Sequence, residues 1–269
     1  MKHPALATSL ALLLVPGLAV ADGEFTLSTG ASHSTGTYGG DITTDISTLA
    51  VTARYDAERW NLSASLPWLR VSGDPNVLPG TGPVLNLNPL GRGRLGLVLD
   101  EPQDDFGSRR GTASGAGDVT LRAGYALAST GPVLAELSTT VKLATADEDK
   151  GLGTGANDYG VALDVSREWD RASVFGGVSY TRLGDTDFIA AADVLGANLG
   201  TGWRAGRGQL GLVYDFRESA SSSFDDRSEV TGYYSVNTAR GNPFQVYVLA
   251  GLSEGSPDWG TGVSYGWKF

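Results

Sequence analysis

Apart from His3, the sequence contains one histidine, His33, and it stands beside Ser34. A nucleophilic Ser–His pair needs a third group to orient the imidazole and an oxyanion hole. The neighbouring residues supply neither, so no catalytic set is expected and His33 reads as an interfacial side chain. Acidic clusters at Asp100-Glu101, Asp104-Asp105, Asp147-Glu148-Asp149 and Asp225-Asp226 offer oxygen ligands of the kind Ca²⁺ takes. None has the spacing of a Ca²⁺ loop, so solvated loop charge is expected, with no metal and no cofactor. The absence of cysteine removes disulfides and an acylated lipoprotein cysteine. The charges that remain recur at alternate positions within apolar stretches: Arg54, Asp118, Arg122, Glu136, Lys142, Asp158, Asp164, Asp215, Arg217 and Glu229. Mixed-sign side chains gathered on one face of many strands either line a pore and bias which solutes pass, or pair with one another and fill a lumen.

What positions them is an alternation with period two. It is clearest in the last twelve residues, where Trp259, Thr261, Val263, Tyr265, Trp267 and Phe269 alternate with Asp258, Gly260, Gly262, Ser264, Gly266 and Lys268. Successive strand side chains point to opposite faces, so this stretch sets an apolar face with aromatic ends against a small, polar one. A lipid-facing strand needs such a band, bounded by interfacial rings. The same pattern predicts strands at about 24–34, 45–55, 60–72, 117–128, 133–144, 158–168, 172–183, 193–203, 208–218, 227–237, 243–252 and 258–269. The eighth is the weakest signal, and without it the count is ten. Pro67 cannot donate to a ladder, so a bulge or local break is expected there.

The connections sort by parity. Those after even-numbered strands are tight, at 56–59, 129–132, 169–171, 204–207 and 238–242, whereas those after odd-numbered strands include 73–116, 145–157 and 219–226. The expected fold is therefore all-β: a transmembrane antiparallel up-and-down β-barrel of twelve strands, with short periplasmic turns and longer extracellular loops. Closure satisfies every backbone group within lipid.

A basic start, an apolar run from Ala5 to Val20 and the small-residue end Ala19-Val20-Ala21 predict a signal peptide over 1–21 and a barrel over 22–269. No later run approaches the ~20 apolar residues of a spanning helix. Twenty Lys and Arg against 30 Asp and Glu give a net charge of −10, which argues against nucleic acid. The expected partners are outer-membrane lipid, lipopolysaccharide bridged to acidic loops by divalent cations, and the barrel-assembly machinery, which would read Phe269.

Gly115-Ala-Gly-Asp-Val-Thr-Leu-Arg-Ala-Gly-Tyr-Ala-Leu127, Trp60-Asn-Leu-Ser-Ala-Ser-Leu-Pro-Trp68 and the Trp-Lys-Phe terminus together resemble a family of exported barrels named for the MetA pathway of phenol degradation. The resemblance implies an outer-membrane protein and a passive route for small, aromatic molecules, and it implies no enzyme. The expectation is a passive channel for small aromatic or moderately apolar solutes. The alternative is a closed structural or adhesive barrel that acts through its loops. Segment 73–116 is too long for a simple turn and rich in apolar residues that water would not favour. Leu78, Leu85, Leu87, Leu90, Arg92 and Arg94 are therefore expected to fold against the mouth or into the lumen as a constriction.

Overall fold

The computed structural model describes residues 23–88, 92, 111–128 and 131–269. The expected leader lies outside them. Alternating sequence becomes strand wherever it was expected: β1 (Glu24–Gly36), β2 (Thr44–Asp56), β3 (Trp60–Gly73), the short pair β4 (Val77–Leu78) and β5 (Gly82–Pro83), β6 (Gly111–Ala116), β7 (Val119–Ala128), β8 (Val133–Leu143), β9 (Asp158–Glu168), β10 (Ala172–Arg182), β11 (Val194–Ala205), β12 (Gly208–Arg217), β13 (Arg227–Asn237), β14 (Pro243–Gly251) and β15 (Trp259–Lys268). Each strand pairs antiparallel with its neighbours, β1 closes onto β15, and β6 and β7 lie end to end beside β3 as one barrel strand. The result is a closed barrel of twelve strands. The weakly signalled eighth stretch is β11, paired along both edges, so the count of ten falls.

Pro67 does not interrupt its own strand; the irregularity appears in the partner. Ser65 pairs with Thr120 and Trp68 with Ala116, so two residues of β3 face three, 117–119, on the neighbouring strand. Pro67 accepts from the Gly117 N–H at 2.8 Å but has no N–H to return. The bulge absorbs that missing bond, and it flips the side-chain alternation between β6 and β7.

Connections are short at one end of the barrel and long at the other, as the parity required. Around the outside, Leu49, Val51, Leu121, Leu163, Leu212 and Val248 lie exposed at mid-height. Rings bound this band. Trp60 packs on Tyr125 at 4.6 Å between centroids and Phe25 on Phe269 at 5.9 Å at the turn end, while Trp68, Tyr159, Tyr180 and Trp259 lie exposed toward the loop end. Exposed apolar area of this extent is a liability in water and a requirement in lipid.

The core lies at one end of the barrel rather than along its wall. Among the described residues, the buried apolar side chains gather at the loop end in two clusters, one of Leu78, Val84, Leu183, Ile189, Val194 and Ala220, the other of Leu69, Val71 and Leu152. The first joins residues from opposite sides of the barrel: the segment after β3, and the connections flanking β11 and β12.

Candidate functional site

Nine of the ten expected inward charges share the inner face with residues paired across from them, and Asp118, in the bulge, reaches the same face through its contact with Lys142. Thr26 opposes Arg54, Lys142 opposes Asp158, Glu136 opposes Asp164 and Asp215 opposes Glu229. Most are engaged with one another. Lys142 Nζ lies 2.7 Å from Asp158, 3.5 Å from Asp118 and 3.0 Å from the Thr154 hydroxyl. Asp118 also accepts the backbone N–H groups of Thr145 and Ala146, and Asp158 that of Gly184, so both carboxylates tie the wall to the loops above it. Arg122 reaches Glu136 at 2.8 Å and Asp164 at 3.8 Å, and Asn61 donates to Glu136 at 2.7 Å. Arg227 pairs with Glu229, and Arg54 with Asp56 at 2.6 Å near the turn end.

Above these charges the segment after β3 folds inward. The β4–β5 hairpin, turning through Pro79 and Gly80, enters the barrel beneath the mouth, and Val77, Leu78, Pro79, Gly80 and Gly82 line a cavity of about 410 Å³ together with Thr48, Thr120, Lys142, Tyr247 and Leu249 of the inner wall. Arg217 crosses to the hairpin tip and donates to the Gly80 carbonyl at 2.7 Å. Gly80 has φ +79°, a conformation that glycine adopts without strain. Arg92 holds the hairpin base: it is 4% exposed and donates to the carbonyls of Asp74, Val77 and Gly151 at 2.6, 3.0 and 2.8 Å. Burial pushes its guanidinium down to about 10, with Asp74 opposing the shift, so it stays charged at neutral pH.

The residues expected in the constriction divide. Leu78 is 1% exposed within the plug. Leu85 and Leu87, 46% and 51% exposed, turn away from it. Residues 84–88 run extended, Asn86 bridges Ile189, and Leu87 N–H donates to the Phe188 carbonyl, so alternation gives the inward places to Val84, Asn86 and Asn88. Leu90 and Arg94 lie outside the described residues. Sequence reasoning missed Tyr38, which is buried at φ +54° with its hydroxyl 3.1 Å from that of Ser34. The Thr37-Tyr-Gly-Gly40 run before β2 was its only signal. His33 and Ser34 point to opposite faces; His33 Nδ1 meets the Ser47 hydroxyl at 3.0 Å and its ring packs on Trp259 at 5.8 Å.

Three cavities succeed one another along the β12–β15 wall. One of about 600 Å³ opens at the turn end and shares Gln209, Ser235 and Gln245 with a second of about 510 Å³ at mid-height. The second shares Tyr247 and Leu249 with the cavity under the hairpin.

In sequence the chain matches no known family profile and no curated protein. In structure it is similar to the crystal structure of an outer-membrane channel from Pseudomonas putida F1, with a TM-score of 0.65 and 16% identity over 94% of this chain and 99% of that one. The fold is shared. More distantly, it resembles the KdgM porin (TM-score 0.49, 12% identity, 91% and 99% covered) and the β domain of the Bordetella autotransporter BrkA (TM-score 0.48, 12% identity, 92% and 99% covered). At these identities the likeness is one of architecture, and what passes through or attaches to the barrel rests on the lumen itself.

Proposed function

We propose that the protein is an outer-membrane channel for passive uptake of small, aromatic or moderately apolar solutes, narrowed at its extracellular end by the 77–83 hairpin. The observation that carries this reading is the succession of cavities from the turn end to the underside of the hairpin. A barrel built only as a scaffold has no need of connected space along one wall. The channel character of the P. putida structure supports the same reading, as does the resemblance of the Gly115–Leu127 and Trp60–Trp68 stretches to the phenol-degradation barrels. In this reading residues 1–21 export the chain and the short turns face the periplasm. Phe269 is presented to the assembly machinery, and the acidic loops meet lipopolysaccharide. Arg122, Glu136, Lys142, Asp164, Asp215, Arg217 and Glu229 line the passage, with Arg54 near its periplasmic end and Asp118 near the plug.

Single-channel recording tests it. The full-length barrel should give small ohmic steps, and a variant lacking residues 76–98 should give larger ones while keeping heat-resistant migration in gels. The second reading, a closed barrel that works through its loops, is favoured by the packed plug and the paired charges. Silence in both proteins, each folded, would decide for it.

A further inference from the structure

The lumen has two unlike walls. Arg122, Glu136 and Asp164 crowd the side formed by β7–β9. On the side formed by β10–β15, two successive mid-height rows carry no charge. One runs Ser173, Gly202, Gly211, Tyr233, Tyr247, Gly262, and the next begins Phe175, Gly200, Val213. Tyr233 and Tyr247 are direct cross-strand partners, yet their rings part: Tyr233 lies over Gly211 on one side and Tyr247 over Gly262 on the other. A Cβ on Gly262 would come within 2.5 Å of the Tyr247 ring, and a Cβ on Gly211 or Gly200 would run into the Tyr233 or Phe175 ring. The glycines therefore leave room for the outer ends of three rings to lie over the neighbouring strand along the wall.

All three rings border the mid-height cavity of about 510 Å³, where Gln209 and Gln245 supply amides, Thr231 and Ser235 hydroxyls, and Asp215 a carboxylate. Flat aromatic faces pack against the face of another ring, whether aromatic or the C–H face of a saturated one. Amides and hydroxyls at the margin pair with hydroxyl groups in either sense, and Asp215 disfavours an anion. We infer that this wall is a binding station for an uncharged six-membered ring bearing hydroxyl groups. The inference deepens the channel reading, since it needs a lumen that solute can enter, but binding is measurable without conduction.

The test is a ligand-observed NMR titration of the folded full-length barrel in detergent, with phenol and with methyl glucopyranoside in separate arms. At least one should bind saturably. Replacing both rings, Tyr233→Leu with Tyr247→Leu, should weaken that binding about tenfold, while the Tyr→Phe pair keeps it within about twofold. Single Tyr→Leu variants, each removing one half-buried ring, carry the same comparison should the pair fold poorly. Binding of phenol alone assigns the station to aromatic rings, and of the glucoside alone to saturated ones; either outcome supports it. No saturable binding of either probe, or equal binding by the Leu variants, overturns it. A barrel that binds but never conducts overturns the channel reading and leaves the station standing.

Discussion

Lys142 sits between two carboxylates that are each less accessible than itself. Its ammonium offsets the like charges of Asp118 and Asp158, which it contacts at 3.5 and 2.7 Å. Lys142→Met would leave two enclosed like charges facing each other, and breaking a buried pair costs about 3–5 kcal/mol. The expected outcome is a lower urea midpoint for the barrel folded in lipid, largely restored when Asp158→Asn is added. Arg92 presents the complementary case, a cation held by carbonyls. Arg92→Met strands the carbonyls of Asp74, Val77 and Gly151, and hydrogen bonds to a charged group are worth about 1.5–3 kcal/mol. That loss should loosen the plug without opening the barrel: faster proteolysis within 74–88 and more frequent large conductance events, at unchanged heat resistance. The two residues differ in how readily sequence betrays them. Lys142 falls in an alternating run, so its face followed from its position. Arg92 entered only as a member of the long apolar segment expected to form a constriction, and its partners are backbone groups that no sequence names.

At the level of elements, the strands were legible because a period of two is enforced by lipid on one side and water on the other. Every strand has to satisfy both. Leu163 and Ala162 are neighbours at the same depth on opposite faces of β9. Leu163→Arg should destabilise folding into lipid bilayers by about 2–4 kcal/mol, and Ala162→Arg by far less. Equal losses in equilibrium unfolding would show the faces to be misassigned. The plug obeys no such rule. Its segment runs extended at 84–88, but its inner face takes Asn86 and Asn88 beside Val84, because the plug interior offers bridging backbone and side-chain partners such as Pro75 O and Asp149. Reading apolar as inward therefore chose Leu85 and Leu87 wrongly. Pro67 shows another limit: its consequence was legible but its location was not, since the neighbouring strand bulges in its place.

The whole molecule is a ring whose last strand meets its first. Phe269 N–H donates to the Phe25 carbonyl at 2.9 Å, Lys268 pairs with Glu24 at 2.7 Å, and ten residue pairs run from Thr26↔Lys268 to Thr35↔Trp259. This seam has the same ladder as every other junction and lacks only the covalent turn. It follows that the order in which the strands are strung is separable from the shape they make. A circularly permuted chain, with residue 269 joined to residue 23 by a four-residue linker and new ends cut between 150 and 151, should refold from urea into lipid with the same heat-resistant migration. Where the chain starts would then be a matter of delivery: with its terminal Phe moved to the middle, the permuted barrel should fold in the test tube yet be inserted poorly by cells. Failure to refold in vitro would mean that the seam, though it looks like any other junction, must form in a set order.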